Sequence, residues 1–370
     1  MRVAAAVLDD YGSLAIEELE LAAPRAGEVA VHLVAAGVCH SDYHVFSGDL
    51  PLPVPMVLGH EGAARVVEVG PGVSEVAPGD PVVLSWLPAC GRCRPCRRGR
   101  PELCSVAARA AEHGTLPDGR TAFRRPATGE AVHQFSLTGA FAECTVVPEA
   151  GVVRLPEGTD LESAALLGCS VLTGTGAVWR TAELRPGESI AVFGAGGVGL
   201  NALQAARMVS AYPRIAVDVQ PRRLEAALAL GASHVVDAAE DAPLDRILEL
   251  TGGEGVDVAL EVVGRPETIA QAFNATRAGG RTVVVGVAPP HAEVALNAFA
   301  FPSQEKALLG CWYGQSNPPR DVPALLRLQS AGVLDLGALV SRRFRLGDLP
   351  AAFEAMLSGA VGRALIVFGD

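Results

Sequence analysis

Four cysteines fall within the run CGRCRPCRRGRPELC, at Cys90, Cys93, Cys96 and Cys104. Two-residue gaps let neighbouring thiolates point inward from tight turns, and the longer gap lets the chain loop back with a fourth ligand. This spacing predicts a tetrahedral zinc site. Because protein fills all four positions, neither water nor substrate can reach the metal, and we expect a structural zinc. The alternative is two disulfides in a secreted domain, which would need an oxidising compartment and usually a much smaller protein.

A second set of soft ligands is scattered through the chain. Cys39 lies in AAGVCHSDYHVFSG, His60 in VLGHEGA and Cys169 in LLGCSVLTGTG. Each follows an apolar segment, where loop side chains can converge on a cleft between domains. Two thiolates and one imidazole leave one position of a tetrahedral zinc open, which is typical of a catalytic site. A metalloprotease is disfavoured, because HEGAA lacks the second histidine of H-E-x-x-H.

A glycine motif, GAGGVG, follows one strand-like segment and opens a helical one. Gly194 permits the tight turn, Gly196 lets the backbone approach a pyrophosphate, and Gly199 allows close packing of helix on strand. The N-terminus of the helix then offers free N–H groups and a partial positive charge to the phosphates. The motif predicts a dinucleotide site.

The next predicted strand, RIAVDV, contains Asp218, 24 residues after Gly194. A carboxylate there accepts hydrogen bonds from the adenosine ribose and repels a 2′-phosphate, which favours NAD over NADP. Arg222 and Arg223 follow and could accommodate a phosphate, so NADP stays open.

Composition limits the classes of partner. A length of 370 residues predicts two domains with well-developed cores. The net charge of -11 and a pI near 5.3 disfavour nucleic acid, whose phosphates the average field would repel. Several arginines crowd the cysteine run, but no aromatic residues lie between them, so we interpret this segment as a solvated basic loop.

The cellular compartment is predicted from the N-terminus and the cysteines. The stretch MRVAAAVLDDYG is too short, and interrupted too early by Asp9 and Asp10, to be a signal peptide. No run of 18 apolar residues occurs, so no membrane span is predicted. Eight cysteines without a secretory signal indicate metal ligands and free thiols in a reducing, cytoplasmic setting.

The pattern of elements changes along the chain. Up to about residue 150, short β-like segments separated by turn pairs predict an antiparallel barrel or sandwich with long loops. The polar segment 107–134, with its glycines and prolines, is predicted to be an irregular surface excursion. From about Ser163, apolar strands alternate with amphipathic helices, which predicts a parallel, doubly wound sheet.

Five motifs occur in a single order: GVCHSDYHVFSG, GHEG, the cysteine run, LLGC followed by TG, and GAGGVG. In this order they resemble the zinc-dependent alcohol dehydrogenases of the medium-chain dehydrogenase/reductase family, over essentially the whole chain and in its longer, classical or class III-like branch. The resemblance implies an α/β fold. A GroES-like β-barrel catalytic domain would span 1–170 and carry both zinc sites, a Rossmann NAD-binding domain would span 171–311, and the segment 312–370 would return to the catalytic domain.

The resemblance also implies roles for the scattered ligands. Cys39, His60 and Cys169 would hold the catalytic zinc, and Glu61 would approach that metal transiently during ligand exchange. Asp42 would bond the imidazole of His60 and fix its tautomer. With the cysteine run, two zinc ions per chain are implied.

Ser41 and His44 resemble a relay that carries the alcohol proton to solvent. Zinc would lower the pKa of a bound alcohol enough to favour the alkoxide, which then gives a hydride to the nicotinamide. The implied cofactor contacts are His40, Thr173, Gly194, Gly196, Gly197, Val198, Gly199, Asp218, Arg223, Val287 and Arg363. The implied substrate pocket, which would suit aromatic or medium-length aliphatic alcohols, consists of Leu50, Trp86, Phe135 and Trp312.

The sequence therefore predicts an NAD-dependent alcohol dehydrogenase acting on a primary alcohol or aldehyde, as a homodimer or, alternatively, a tetramer. A thiol-adduct formaldehyde dehydrogenase is a second prediction: Leu50 and Ala108 occupy its two anchor positions, although Asp49 and Arg109 are adjacent. An enzyme that retains NAD and passes electrons to another acceptor, and a catalytically silent binding relative, also stay open. The intact ligands and relay argue against the silent relative. Cys144 and Cys311 have no assigned role.

Overall fold

The computed structural model describes residues 1–359 and 363–369, and the chain divides into two compact units. The first comprises Met1–Cys169, Asn317–Leu326 and Leu336–Asp370, and the second comprises Ser170–Ser316 and Arg327–Asp335. The three-part division at residues 170 and 311 stays a prediction.

The strands are β1 (Arg2–Asp10), β2 (Ser13–Leu21), β3 (Glu28–Gly37), β4 (Met56–Val57), β5 (Glu61–Val69), β6 (Pro81–Leu84), β7 (Phe123–Arg124), β8 (Ala131–Gln134), β9 (Cys144–Pro148), β10 (Val152–Arg154), β11 (Ile190–Phe193), β12 (Arg214–Asp218), β13 (His234–Asp237), β14 (Val256–Glu261), β15 (Thr276–Val284), β16 (Ala307–Gly310), β17 (Val340–Phe344) and β18 (Arg363–Val367).

The α-helices are α1 (His40–Ser47), α2 (Arg94–Arg97), α3 (Ser105–Glu112), α4 (Leu161–Ala164), α5 (Ser170–Gly176), α6 (Gly197–Met208), α7 (Pro221–Leu230), α8 (Pro243–Leu250), α9 (Pro266–Ala275), α10 (Ala300–Gln304), α11 (Pro318–Ser330) and α12 (Leu349–Leu357).

The first unit contains a closed barrel of β1, β2, β7, β8 and β4. It also contains a seven-stranded sheet in the order β10, β6, β5, β3, β18 and β17, with β9 paired to β3. Nearly every residue of β3 is buried, and His32 is its one exposed position. A strand at the centre of a covered sheet is apolar on both faces, which explains why EVAVHLVAAG is an almost continuous apolar run. β3 is therefore the strand around which the first unit is built.

The segment 107–134 differs from the irregular excursion that its composition predicts. It contains most of α3 and the strands β7 and β8, and these two strands join the barrel wall. β7 has two residues and β8 has four. Strands this short carry little periodicity of their own, and their pairing with β2 and β4 comes from distant parts of the chain.

The second unit is built on a six-stranded sheet in the order β13, β12, β11, β14, β15 and β16, and every neighbouring pair is parallel. The prediction of a parallel, doubly wound sheet is confirmed. All four residues of β11 are buried, as expected of a strand covered by helices on both faces.

Among residues 1–359 and 363–369, no single helix is long and apolar enough to cross a membrane. One bent pair of helices, Leu161–Gly168 with Ser170–Thr181, meets that test by length and composition alone.

Gly199 is a position where packing demands glycine. A Cβ there would lie 1.9 Å from the carbonyl oxygen of Gly194, and backbone cannot move aside cheaply. We expect Gly199→Ala to lower the free energy of unfolding by about 2–3 kcal/mol, the upper range for overpacking. Gly310→Ala is the matched control, because a Cβ at Gly310 meets nothing within 4 Å. Chemical denaturation of both variants measures the difference; equal stabilities would contradict the packing argument.

Candidate active site

Cys39 lies at the N-cap of α1, two residues after β3 ends. Its backbone is extended, with φ -119° and ψ 153°, and its N–H donates to Asp42 Oδ2 at 3.0 Å. Asp42 is the third helical residue, so its carboxylate satisfies an N–H group that the helix leaves without a partner. The start of α1 thereby fixes the Cys39 thiol and a buried carboxylate together.

Strand pairing brings His60 to the same place. β3 and β5 are antiparallel, and Gly37 at the end of β3 lies opposite Glu61 at the start of β5. Cys39 comes two residues after Gly37 and His60 comes one residue before Glu61. Both ligands therefore leave the sheet at the same edge.

The Asp42 carboxylate also holds His60. Its Oδ1 lies 3.0 Å from Nδ1 of the imidazole and accepts the N–H of Gly59 at 3.2 Å. With Nδ1 donating to this carboxylate, Nε2 is left to bind a metal. The role predicted for Asp42 has the required contact.

Cys169 completes the cluster from a distant part of the chain. It follows the 3-10 helix Ala165–Gly168, which packs on the sheet so closely that a Cβ at Gly168 would lie 2.7 Å from the carbonyl oxygen of Leu84. The ligand atoms of Cys39, His60 and Cys169 lie within 4.8 Å of one another, and all three residues are buried. With zinc–ligand bonds of about 2.0–2.3 Å, one ion reaches all three.

The electrostatics of this cluster suit a cation. A hydrogen bond from Cys169 lowers the pKa of Cys39 well below its usual range, against the opposing effect of burial. Burial would lower the pKa of His60, but the charge of Asp42 and its hydrogen bond outweigh burial and raise that pKa well above 6.5. The hydrogen bond to Cys39, together with burial, raises the pKa of Cys169 well above its usual range. Metal binding at this cluster must therefore displace protons from Cys169 and His60.

Glu61 and Arg363 form a buried ion pair beside the cluster. The guanidinium donates from Nε and Nη2 to the two carboxylate oxygens, each at 3.0 Å. A Cβ on Gly37 would lie 1.9 Å from Glu61 Oε2, so only glycine leaves room for this carboxylate. β18 pairs with β3, which places Arg363 at this edge of the sheet. Sequence reasoning did not foresee this pair, because no local pattern links residues about 300 positions apart.

Two aromatic side chains flank His60. The Trp86 and Phe135 rings stand edge-on to the imidazole, with centroid distances of 6.2 and 5.3 Å. Leu50 packs half-buried against the apolar core of the first unit, to which Phe135 also belongs. Trp312 belongs to the second unit, where 45% of its surface is exposed. The structure places Trp86 and Phe135 beside His60, and the pocket of four residues stays a prediction.

Ser41 and His44 lie three residues apart on α1, a spacing that places them on one helix face. Ser41 Oγ lies 3.9 Å from the Cys39 thiol, and His44 Nδ1 lies 3.5 Å from Asp49 Oδ2. Asp49 also accepts a hydrogen bond from Ser47 at 2.8 Å. Sequence reasoning missed this orienting carboxylate, which lies just beyond the end of α1.

The four cysteines of the run form a second cluster. Cys93 is the N-cap of α2 and Cys104 the N-cap of α3, while the Cys90 N–H donates to the Cys104 sulfur at 3.3 Å. All four sulfurs lie within 4.8 Å of one another, as one tetrahedral ion requires. All eight cysteines, each within the described ranges, are free thiols, so the disulfide alternative receives no support.

Protons are unevenly distributed over this second cluster. The backbone N–H of Cys96 lowers the pKa of Cys93 to about 6, whereas burial raises the pKa of Cys96 to about 12. Binding of a cation by all four sulfurs would therefore require Cys96 in particular to lose its proton.

The glycine motif of the second unit lies between β11 and α6. Gly194 has φ +102°, a left-handed conformation that glycine adopts without strain. Gly196 is the N-cap of α6, and a Cβ there would meet nothing within 4 Å. Glycine at this position leaves the backbone open to the close approach of a ligand. The N–H groups of Gly197 and Val198 begin the helix, as a phosphate site requires.

Asp218 ends β12 beside this motif. Its carboxylate accepts the N–H of Ala195 at 2.8 Å and the N–H of Gln220 at 3.0 Å, and Arg223 Nη1 lies 3.7 Å away. The carboxylate is therefore held rigidly at the carboxyl end of the sheet, where ligands of such folds bind.

Three other residues predicted to contact the cofactor lie in different elements of the fold. Thr173 lies buried in α5, and Val287 follows β15, where its backbone contacts the position of Gly264. His40 is exposed at the first position of α1. Their roles stay predictions.

Two family models match the chain. One is described as an alcohol dehydrogenase GroES-like domain and matches residues 25–157, and the other is described as a zinc-binding dehydrogenase and matches residues 197–331. An NDMA-dependent alcohol dehydrogenase of Amycolatopsis methanolica is 39% identical over 371 residues, which is 99% of each chain.

The chain is a zinc-dependent alcohol dehydrogenase of the medium-chain dehydrogenase/reductase family.

Other relatives of this alcohol dehydrogenase differ in their named substrates. An S-(hydroxymethyl)glutathione dehydrogenase of Synechocystis is 36% identical over 99% of this chain and 100% of its own. The crystal structure of benzyl alcohol dehydrogenase from Acinetobacter calcoaceticus has a TM-score of 0.94 at 32% identity and covers both chains fully. The predicted family, its GroES-like and Rossmann fold class and its enzymatic nature are confirmed. The enzyme uses zinc and a nicotinamide cofactor, and its substrates are small alcohols or aldehydes.

The two cysteine clusters should respond differently to substitution. We expect Cys96→Ser to remove one zinc and lower the melting temperature by about 5 °C or more, because a structural zinc contributes directly to folding. Cys39→Ser should abolish turnover with a much smaller change in melting temperature. Cys144→Ser, which alters a buried thiol in neither cluster, is the control and should retain both ions. Zinc analysis and calorimetry decide; an unchanged melting temperature for Cys96→Ser would contradict its structural role.

Proposed function

We propose that this alcohol dehydrogenase transfers a hydride between a primary alcohol, aromatic or of medium chain length, and NAD. The observation that carries the proposal is the buried Cys39, His60 and Cys169 cluster, whose ligand atoms lie within 4.8 Å of one another. Three protein ligands fit a zinc that keeps one position for substrate. The Trp86 and Phe135 rings beside His60 favour an aromatic or extended apolar substrate.

Zinc bound there would supply a Lewis acid that lowers the pKa of an alcohol hydroxyl. Asp42 keeps the His60 proton on Nδ1 and so presents Nε2 as the ligand. Arg363 engages both oxygens of Glu61 and thereby holds that carboxylate beside the cluster. To approach the metal, the Glu61 carboxylate would have to give up a hydrogen bond from Arg363. To contact the pyrophosphate, as predicted, the Arg363 guanidinium would likewise have to give up a hydrogen bond to Glu61.

The proton of the alcohol would leave through α1. Ser41 Oγ, beside the Cys39 sulfur, would accept the proton, and His44 would pass it to solvent. The His44 side chain is 25% exposed and lies beside Asp49, so it has access to solvent and a carboxylate that can orient its ring.

The cofactor proposal rests on the second unit. The Gly194–Gly199 turn and the first N–H groups of α6 fit a pyrophosphate, and the Asp218 carboxylate fits a ribose without a 2′-phosphate. We further propose two zinc ions per chain, one for each cluster. Assembly as a homodimer, with a tetramer as the alternative, and a cytoplasmic location stay predictions.

A second candidate function follows from the relatives. Similarity to an NDMA-dependent alcohol dehydrogenase favours an enzyme that retains its nucleotide and uses another acceptor. Similarity to S-(hydroxymethyl)glutathione dehydrogenases supports a thiol adduct of formaldehyde as an alternative substrate. In the structure, Asp49 is engaged by His44 and Ser47, which argues against its use as an anchor for such an adduct.

We expect the purified enzyme to contain two zinc ions per chain and to reduce NAD with benzyl, cinnamyl and medium-chain alcohols. Metal analysis is combined with assays of these alcohols and of thiol–formaldehyde adducts, with and without NDMA. Turnover that requires NDMA, together with stoichiometric nucleotide released on denaturation, would favour the retained-cofactor enzyme. Turnover of thiol adducts alone would favour the formaldehyde dehydrogenase. Fewer than two zinc ions and no alcohol turnover would contradict the proposal.

Asp218 should set the choice between NAD and NADP. Asp218→Asn retains an acceptor for the Ala195 N–H but removes the negative charge, so the ratio of kcat/KM for NADP to that for NAD should rise about tenfold or more. Asp237→Asn is the matched control, because Asp237 ends the neighbouring strand in register with Asp218. Steady-state kinetics with both nucleotides measure the ratio, and an unchanged ratio would assign Asp218 a purely structural role.

A further inference from the structure

The segment 311–316 in the second unit contains a strained turn. Tyr313, Gly314 and Gln315 have φ of 52°, 64° and 49° in succession. Two of these residues carry side chains, and non-glycine residues are strained in the left-handed region because their Cβ atoms crowd the backbone. Such a turn persists only where the surrounding structure stabilises it. The contacts on either side of the turn therefore indicate which part of the molecule requires this conformation.

Ser316 fastens one end of the turn to α5. Its side chain is 1% exposed, and its hydroxyl donates to the carbonyl oxygen of Leu172 at 3.1 Å. The same hydroxyl oxygen accepts a hydrogen bond from Arg180 Nη1 at 3.4 Å. At the other end, Thr181 Oγ1 donates to the Cys311 sulfur at 3.2 Å.

The helix that receives these contacts changes geometry where they are made. α5 ends at Gly176 and continues as a π-helix over Ala177–Thr181. Arg180 and Thr181, which bind the two ends of the turn, lie in the π segment. Short π segments are rare and frequently mark functional positions.

The turn and α5 meet backbone to backbone. A Cβ on Gly314 would lie 2.3 Å from the carbonyl oxygen of Leu172 and 2.8 Å from that of Thr173, and a Cβ on Gly176 would lie 2.1 Å from the carbonyl oxygen of Gly314. On another side, a Cβ on Gly174 would lie 2.4 Å from the carbonyl oxygen of Val198. Thr173 is therefore placed between the strained turn and the first residues of α6, with no side chains as intermediates.

We propose that Ser316 is a positioning residue for the hydride-transfer step. Together with Arg180, Ser316 holds the turn Tyr313–Gln315 against α5. This turn then fixes the position of Thr173. The inference rests on the proposed function and on the cofactor contact that the family resemblance implies for Thr173, which we take to be with the nicotinamide. Because the adenosine and phosphate contacts lie elsewhere in the second unit, loss of Ser316 should disturb the reacting end of the cofactor and leave most of its binding energy intact.

Ser316→Ala tests this proposal, with Thr276→Val as the matched control. Thr276 is 2% exposed and donates its hydroxyl to the Phe273 carbonyl oxygen at 2.6 Å, so both substitutions delete a buried hydroxyl–carbonyl bond in the second unit. Both variants should lose similar thermal stability. Ser316→Ala alone should lower kcat on the order of tenfold, the scale of a small misplacement of reacting groups, and raise the primary deuterium isotope effect on kcat. Its Kd for NADH by calorimetry should change less than about threefold.

A spectroscopic measurement does not depend on turnover. The emission of NADH bound to Ser316→Ala should be weaker than in the wild type and the Thr276→Val variant, because its nicotinamide is held less rigidly. Identical kinetics and emission for Ser316→Ala and Thr276→Val would overturn the proposal. Wild-type enzyme that neither binds NADH nor oxidises alcohols would instead overturn the proposed function, so the two failures are distinguishable.

A second pair of variants covers the case in which Ser316→Ala does not fold. Arg180→Met removes the donor to the Ser316 hydroxyl but leaves the bond from Ser316 to Leu172. It should lower kcat in the same direction by a smaller factor, and Arg180→Lys, which keeps a cationic donor, should recover part of the loss. Wild-type kcat in Arg180→Met would count against the positioning role.

Discussion

The cluster of Cys39, His60 and Cys169 depends on one buried carboxylate. Asp42 is fully buried and accepts three N–H groups, those of Cys39, Gly59 and the His60 imidazole. These donors come from the start of α1 and from the segment before β5, so a single charged group ties two parts of the chain together. A buried carboxylate is tolerated only when its hydrogen-bonding capacity is filled. The same bonds that satisfy Asp42 orient Cys39 and His60, two of the three proposed zinc ligands.

Charge balance extends this constraint to the rest of the cluster. Two thiols, the Glu61 carboxylate and the Asp42 carboxylate lie in a region from which water is largely excluded. The Arg363 guanidinium and the His60 imidazole, whose pKa is raised, supply compensating positive charge there. Arg363 is itself buried and bonded to both oxygens of Glu61. Breaking such a pair leaves an uncompensated buried charge, which costs far more than an exposed ion pair contributes. The sheet edge formed by β3, β5 and β18 therefore carries the charged groups that the chemistry needs.

In the second unit, close backbone contacts hold neighbouring segments in position, whereas in the first unit buried charged groups do so. At Gly199 on Gly194, Gly174 on Val198 and Gly176 on Gly314, no side chain fits between the approaching segments. Backbone contacts of this kind leave little freedom for sliding, because neither partner can change rotamer to adapt. The glycine turn Gly194–Gly199, α5 and the strained turn that follows β16 are consequently held in fixed register.

The sequence by itself determined the ligand types and their spacing, because metal coordination and pyrophosphate binding place strict demands on local residues. The cysteine run, GHEG and GAGGVG could be interpreted from such demands, and the alternation of apolar strands and helices predicted the parallel sheet. Only the tertiary structure decided the contacts between distant segments: the Glu61–Arg363 pair, Asp49 beside His44, the edge-on rings of Trp86 and Phe135, and the fastening of Ser316 to Leu172. It also showed that β7 and β8 close the barrel. These features depend on the register of paired strands and on where loops bring distant segments together. The packing and hydrogen-bonding energies that determine both are summed over many residues far apart in the chain.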